Sequence, residues 1–162
     1  MNSKLVEVCY KGDLNALKVL LKTSDSRIIE RVLSNACFNG KIEIAKYLIE
    51  LGTNIHSNDN APLRFSSRSG HLELVKILIK KGADIHADNN YALRWASIYN
   101  HLEIIKFLVE KGANINVCAE NHKSMINMII NDKKREVSSS LLNQTNMYED
   151  VIGIVNKYVN VY

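Results

Sequence analysis

Apolar positions recur along the middle of the chain in two blocks, 61–90 and 91–120, which align without a gap at a spacing of 30 residues. Within each block the apolar residues fall at helical spacing twice, and a Gly-His or Asn-His dipeptide separates the two stretches. The matching positions include Leu63 and Leu93, His71 and His101, and Gly82 and Gly112. The pattern therefore predicts an internal repeat whose unit is two helices joined by a turn.

The second helix of each unit is predicted to bury one apolar face. The residues assigned to this face are Ile42, Ala45, Leu48 and Ile49 in one unit, Leu72, Val75, Leu78 and Ile79 in the next, and Leu102, Ile105, Leu108 and Val109 in the third. Gly82 and Gly112 end two of these helices, because glycine readily takes the left-handed closing position. The polar residues 88–90 then form a turn that leads into the following unit.

A unit of helix, turn, helix and connecting finger resembles an ankyrin repeat. The resemblance is carried by G-H-L-E-L-V-K-I-L-I-K-K-G-A-D-I at 70–85 and by N-H-L-E-I-I-K-F-L-V-E-K-G-A-N-I at 100–115. It implies an all-α fold, a solenoid of helix-turn-helix units with short finger turns. The 30-residue period and the A-L-R-W-A-S sequence at 92–97 are similar to those of ankyrin proteins from giant, mimivirus-like viruses.

The opening of the repeat departs from the ankyrin pattern in two ways. The family's Thr-Pro-Leu-His is replaced by Ala-Pro-Leu-Arg at 61–64 and by Tyr-Ala-Leu-Arg at 91–94, so the threonine–histidine hydrogen bond that pins this turn in the family cannot form. The repeat is also shorter than the usual length of about 33 residues, and the deficit falls between Asp88 and Leu93. We therefore expect blunt fingers and a shallow groove.

The whole chain, residues 1–162, is interpreted as a single ankyrin-repeat domain. Its predicted parts are an N-terminal capping repeat at 1–27, repeats at 28–60, 61–90 and 91–120, and a divergent C-terminal cap at 121–162. A stacked array must close the apolar faces of its first and last units, which accounts for the weaker pattern at both ends.

Composition narrows the class of protein further. Hydrophobic residues make up 46% of the chain, which is ample for a core, and the net charge of +4 is well short of a nucleic-acid-binding composition. No apolar stretch approaches the roughly 18 residues of a membrane span, and the N-terminus lacks a signal-peptide core. We expect a soluble, intracellular monomer in the cytoplasm, which would be the host cytoplasm if the protein is viral.

The three cysteines are too few and too irregularly spaced for a disulfide framework or a four-ligand zinc site. Cys9 and Cys37 take the same small-residue position in successive first helices and are predicted to lie in the core. Cys118 falls in a predicted finger, where exposure is the alternative to burial.

Residues suited to catalysis follow the repeat instead of converging on one site. The recurring sets are His71 and His101 in the turns, His56 and His86 in the fingers, and Glu43, Glu73 and Glu103 at the starts of second helices. A structural role is predicted for these histidines, and the carboxylates complement the positive ends of helices. The sequence contains no metal-ligand spacing, phosphate-binding loop or nucleophile–base arrangement. We therefore expect a protein that is not an enzyme and that has no cofactor or metal.

Three arginines, Arg64, Arg68 and Arg94, lie on first helices, which line the concave side in ankyrin proteins. One interpretation is an anion-accepting stripe. The other is ordinary solvation, or pairing with Asp59, Asp84, Asp88 or neighbouring carbonyl groups. Arg64 and Arg94 stand where the family has its turn-pinning histidine, which favours pairing for these two and leaves Arg68 the freer residue.

The two positions before each Gly or Asn turn differ most between repeats, and such variable positions commonly meet partners in ankyrin proteins. They are Tyr10, Lys11, Phe38, Asn39, Arg68, Ser69, Ile98 and Tyr99. We call them the end-of-helix row and predict that they form the binding surface, because aromatic residues and arginine dominate interface hot spots. The alternative is that Phe38 folds into the stack of repeats. Phe65 and Trp95 share an internal position and are predicted to be core.

The function predicted from these features is a non-catalytic protein–protein interaction module, a viral adaptor that engages a host protein through its concave face. The alternative is binding of a nucleic acid or nucleotide through Arg64, Arg68 and Arg94. A protein partner is favoured, because the net charge is low and the variable positions include aromatic residues.

Overall fold

The computed structural model describes residues 2–118 and, beyond them, residues 120, 123–124, 126–128, 131–132 and 135. The chain divides into two units, Met1–Ile126 and Asn127–Tyr162. The architecture below is that of the first unit, and most of the predicted C-terminal cap at 121–162 lies outside the described residues.

The first unit is built from helices in consecutive pairs. Their bounds are α1 Asn2–Lys11, α2 Leu14–Leu21, α3 Ser26–Phe38, α4 Ile42–Glu50, α5 Ser57–Arg68, α6 Leu72–Lys80, α7 Ala87–Ile98 and α8 Leu102–Glu110, followed by a 3₁₀ turn at Ile115–Val117. The odd-numbered helices pack on one another in the order α1, α3, α5, α7, and α6 lies between α4 and α8. The described residues contain no strand, and the predicted all-α solenoid of helix pairs is confirmed.

Helices α2 and α3 begin at aspartate caps. The Asp13 carboxylate accepts a hydrogen bond from the backbone N–H of Ala16 at 2.9 Å, and the Asp25 carboxylate accepts one from Ile28 at 2.8 Å. These bonds satisfy N–H groups that have no partner within the first turn of a helix. The helices α4, α6 and α8 have no side-chain cap and carry a glutamate in the first turn instead.

The buried face of the second helices lies slightly to one side of the predicted one. Leu102 is 40% exposed and Leu72 is half-buried, although both were predicted to be core. Their places, and that of Ile42, which is also half-buried, are taken by residues that the prediction omitted, namely Ile44, Leu74 and Ile104, all at most 1% exposed. Leu72 and Leu102 begin their helices beside the turn, where the neighbouring helices do not enclose them.

The fingers contain two runs of left-handed backbone, at residues 58–60 with φ of 48°, 54° and 56° and at residues 88–90 with φ of 49°, 55° and 55°. Asparagine and aspartate tolerate this conformation better than other non-glycine residues. Asn60 Oδ1 accepts a hydrogen bond from the backbone N–H of Asp84 at 2.9 Å and lies 3.0 Å from His56 Nδ1. The equivalent contacts one repeat later join Asn90 to Asn114 and His86.

Each of these asparagines attaches one finger to the next by a side chain–backbone hydrogen bond. Asn60 and Asn90 are buried, so their side-chain oxygens are shielded from competing water. The chain therefore replaces the absent threonine–histidine bond with a histidine–asparagine–backbone connection that spans 24 residues.

The turn histidines join successive first helices. His71 Nε2 donates to the carbonyl oxygen of Phe38 at 3.0 Å, and His101 Nε2 donates to that of Arg68 at 2.9 Å. Phe38 and Arg68 are the last residues of α3 and α5, where backbone carbonyls have no partner within the helix. The predicted structural role of these two histidines is confirmed.

All three cysteines are free and buried. Of the two possibilities for Cys118, burial and exposure, the structure shows burial. Burial raises the pKa of Cys37 to about 12 and also raises the pKa of Cys9 and Cys118. A raised pKa keeps a thiol protonated and therefore unreactive near neutral pH.

Candidate partner-binding surface

The end-of-helix row contains several exposed apolar side chains. Exposure is 67% for Tyr10, 43% for Phe38, 51% for Ile98 and 46% for Tyr99. The remaining members are more polar, since Lys11 is exposed while Asn39, Arg68 and Ser69 are half-buried. Exposed aromatic and aliphatic side chains at the same end of successive helices are typical of a protein-binding surface.

The contacts within the row are local. Among the described residues, one direct side-chain contact joins row members of different repeats. It is between Arg68 and Tyr99, where Nη2 of the arginine lies 3.4 Å from the phenolic oxygen of the tyrosine. Phe38 instead packs edge-on against Phe65, with ring centroids 6.0 Å apart. The Lys41 ammonium lies over the Tyr10 ring, 5.7 Å from the centroid of that ring. The row is thus a series of separate contacts along the repeats.

Three aromatic side chains form a column along α7 and the turn that follows it. Tyr91 and Trp95 have centroids 5.3 Å apart, and Trp95 and Tyr99 stack at 5.5 Å with an angle of 19° between their planes. Their spacing of four residues puts them on one side of the helix. Trp95 and Phe65 are both half-buried, so the prediction that they are core is wrong, and Trp95 belongs to this surface.

Two arginines from α5 cover this column. The Arg64 guanidinium lies 4.4 Å from the centroid of the Tyr91 ring, and that of Arg68 lies 4.8 Å from the centroid of Trp95. Stacking on aromatic faces orders an arginine while leaving the donor groups at its edge available for hydrogen bonds. We refer to Arg64, Arg68, Tyr91, Trp95 and Tyr99 as the cation–aromatic column. Tyr91 was absent from the predicted site, although its four-residue spacing from Trp95 was visible in the sequence.

The three arginines of the predicted anion-accepting stripe have different surroundings. Arg64 forms an ion pair with Asp88 at 2.7 Å, one of the pairings that the sequence suggested. Arg68 is held by the aromatic rings. Arg94 is half-buried near Cys118, where its charge partly opposes the effect of burial on the thiol's pKa.

Among α1–α8 arginine occurs on only one of the two sets of helices, whereas lysine occurs on both, since α1 carries Lys4 and Lys11. Within α1–α8 every arginine lies on an odd-numbered helix, and the cations of the even-numbered helices are all lysines. One of these lysines, Lys46, forms an ion pair with Glu73 of the next repeat, with Nζ 3.0 Å from the carboxylate oxygen. The described residues include no group of three or more His, Cys, Asp or Glu side chains that could hold a metal ion.

A family model of ankyrin repeats in three copies matches residues 5–89 and 33–119. The chain therefore belongs to the ankyrin repeat family, whose members are generally non-enzymatic protein–protein interaction modules.

A relative from Acanthamoeba polyphaga mimivirus, named putative ankyrin repeat protein L45, is 40% identical over 63 residues. This stretch is 39% of the present chain and 28% of the relative, so the chain matches less than a third of that protein's length. The similarity to ankyrin proteins of giant viruses that the sequence indicated is confirmed. Among the described residues, no helix has the length and apolar character needed to cross a membrane.

Proposed function

We propose that this protein is a non-catalytic adaptor that binds a partner protein through the end-of-helix row and the cation–aromatic column. The observation that carries the proposal is the exposure of Tyr10, Phe38, Ile98 and Tyr99 at or next to the ends of odd-numbered helices, together with Arg64 and Arg68, which are ordered on aromatic rings. Such side chains cost solvation free energy when left in water, and a partner that covers them recovers it.

The mimivirus relative suggests the setting of this activity. We propose that the protein is viral, that it acts as a monomer in the cytoplasm of the host, and that its partner is a host protein. Family membership supports binding as the activity, since ankyrin repeats are generally interaction modules.

Site-directed photo-cross-linking in an amoebal lysate tests the proposal. Benzoylphenylalanine replaces Tyr10 or Tyr99 in separate proteins, and the control carries it at Val19 of α2, which is 66% exposed. We expect one host polypeptide to be cross-linked from both row positions and not from Val19. Excess unlabelled wild-type protein should compete, and the Tyr10→Ala/Phe38→Ala/Arg68→Ala/Tyr99→Ala variant should not. Equal cross-linking from Val19, or equal competition by a folded quadruple variant, would contradict the proposal.

The nucleic-acid alternative has weaker support. Arg64 is neutralised by Asp88, and Arg68 already covers the Trp95 face on which a base would stack. A binder of this kind should take up single-stranded DNA at low salt and release it steeply as salt rises. We expect no such binding in a fluorescence anisotropy titration.

A further inference from the structure

Within α1–α8 arginine occurs only on the odd-numbered helices, and this distribution indicates the chemistry of the partner. Arginine and lysine carry the same charge, but the planar guanidinium matches a carboxylate with two parallel hydrogen bonds. If charge served only to keep the surface hydrated, lysine would serve equally well on both sets of helices. The arginines in question are Arg27, Arg31, Arg64, Arg68 and Arg94.

Two of these arginines are available to an incoming anion. Arg31 on α3 is exposed, forms no hydrogen bond or ion pair with a described residue, and lines an open groove with Asn35, Arg64 and Phe65. Arg68 is ordered on Trp95 and Tyr99, yet its only described hydrogen-bond acceptor is the Tyr99 hydroxyl at 3.4 Å. Both guanidiniums therefore have donors to offer a partner.

We propose that this surface binds an acidic, extended segment of a partner protein, with carboxylates on Arg31 and Arg68 and apolar side chains against Phe38 and Phe65. The inference rests on the proposed function and deepens it by naming the chemistry of the bound segment. Cations outnumber acids on the odd-numbered helices and balance them on the even-numbered ones, so the charge of the surface complements an acidic ligand.

The geometry of stacked helices sets the spacing of the two carboxylates. Position 31 corresponds to position 61 on α5, and seven further residues of helix place Arg68 about 10 Å along the axis at 1.5 Å per residue. Neighbouring helices lie about 8–10 Å apart. The two helix positions are then separated by about 13–15 Å, which an extended chain covers in about four to five residues at roughly 3.3 Å each.

A random dodecapeptide phage library, panned against the full-length protein and counter-selected on the Arg31→Gln/Arg68→Gln variant, tests the inference. We expect enrichment of peptides with two acidic residues about four or five positions apart and an apolar residue between them. A synthetic peptide from this set should lose affinity about tenfold or more when its two acids become glutamine, or when the double variant replaces the wild type.

The matched control is the Lys80→Gln/Lys81→Gln variant, which removes the same amount of charge from exposed positions at the end of α6. It should change the peptide affinity by less than about twofold. Circular dichroism melting curves establish that both variants are folded. An equal loss in this control, enrichment of neutral or basic peptides, or no enrichment at all would overturn the inference, as would tighter binding of single-stranded DNA than of any selected peptide.

The outcomes for the two proposals are distinguishable. If the Tyr10 and Tyr99 probes cross-link a host protein and the Arg31→Gln/Arg68→Gln variant still competes fully, the adaptor function stands and the acidic segment is wrong. If acidic peptides bind as expected but the probes at Tyr10 and Tyr99 capture no protein, the adaptor function fails while the surface chemistry stands.

Discussion

At the scale of single residues, the oxygen of the Asn60 side chain contacts two groups, the His56 ring and the backbone N–H of Asp84. The amide oxygen only accepts hydrogen bonds, so His56 Nδ1 must carry its hydrogen to complete the arrangement. Asn60 is also held at a φ of 56°, which asparagine adopts at a smaller cost than most residues. One residue therefore fixes both the shape of a finger and its attachment to the next finger.

The Asn60→Gly variant isolates the hydrogen bonds from the backbone strain. Glycine tolerates a positive φ, so the remaining loss reports the missing acceptor and the unpaired N–H of Asp84. We expect the free energy of unfolding to fall by about 1–3 kcal/mol, measured by urea denaturation. Asn89→Gly is the control, because Asn89 has a similar φ of 55° and an exposed side chain. Equal losses in the two variants would contradict the role assigned to Asn60.

At the scale of helices and turns, the histidine of one repeat determines which residue the preceding turn accepts. A Cβ atom built on Gly70 would lie 2.7 Å from the His101 ring, and one built on Gly40 would lie 2.6 Å from the His71 ring. The corresponding residue in the following turn is Asn100, with a φ of 57°, and the sequence has asparagine instead of histidine at position 131. In this turn a side chain is present and no histidine follows at the repeat spacing, whereas the Gly12 turn keeps glycine although Lys41 takes the place of the histidine.

A double-mutant cycle between Gly70→Ala and His101→Ala measures this dependence. Gly70→Ala combines the strain of a φ of 82° with the collision against His101, and only the collision is relieved when His101 becomes alanine. We expect the two changes to be non-additive by about 0.5–3 kcal/mol in denaturant unfolding. Gly82→Ala provides the control, because its Cβ would meet nothing within 4 Å at a φ of 93°. It should show no coupling to His101→Ala, and a coupling as large as that of Gly70 would refute the explanation.

The buried face of α6 leads to a second prediction at the scale of helices and turns. Leu78 is fully buried and Lys80 is exposed at the end of the same helix. Leu78→Ala should lower the free energy of unfolding by about 2–5 kcal/mol, because it leaves a cavity between repeats. Lys80→Ala should change it by less than about 0.5 kcal/mol. Similar midpoints for the two variants in urea would show that the assigned helix face is wrong.

At the scale of the whole molecule, the three buried thiols report unfolding at separate points along the array. They lie in α1, in α3 and after the last described turn, at Cys9, Cys37 and Cys118. With a pKa of about 12, only about one Cys37 thiol in ten thousand is ionised at pH 8 in the folded protein. The raised pKa and burial both oppose reaction, since the thiolate is the nucleophile.

We therefore expect a chromogenic disulfide reagent at pH 8 to label no thiol rapidly in the native protein and three in denaturant. The slow labelling of the native protein should be limited by global unfolding. Its rate should therefore be higher in the destabilised Leu78→Ala variant. If a thiol of the native protein reacts as fast as the reagent can be mixed in, its site is open in the native state, which would contradict this expectation.

The sequence predicted the fold well because helices and repeats are encoded locally. Apolar spacing indicated the helix pairs, the glycine–histidine turns indicated their junctions, and recurrence correctly assigned His71 and His101 to the architecture. The repeat boundaries and the binding role of the end-of-helix row remain predictions. The pairing of Arg64 with Asp88 was among the suggested alternatives, but the sequence did not select it.

The amino-acid sequence by itself determined where helices form, how often the unit recurs and which family the chain belongs to, because these depend on residues within one repeat. Only the tertiary structure decided which apolar side chains are enclosed, as with Leu74 in place of Leu72, and that Trp95 lies beneath Arg68 at the surface. It also revealed that Asn60 holds the finger of the next repeat. These contacts join residues that are 24 or more positions apart, and their geometry depends on how neighbouring helices pack, which spacing along one helix does not specify.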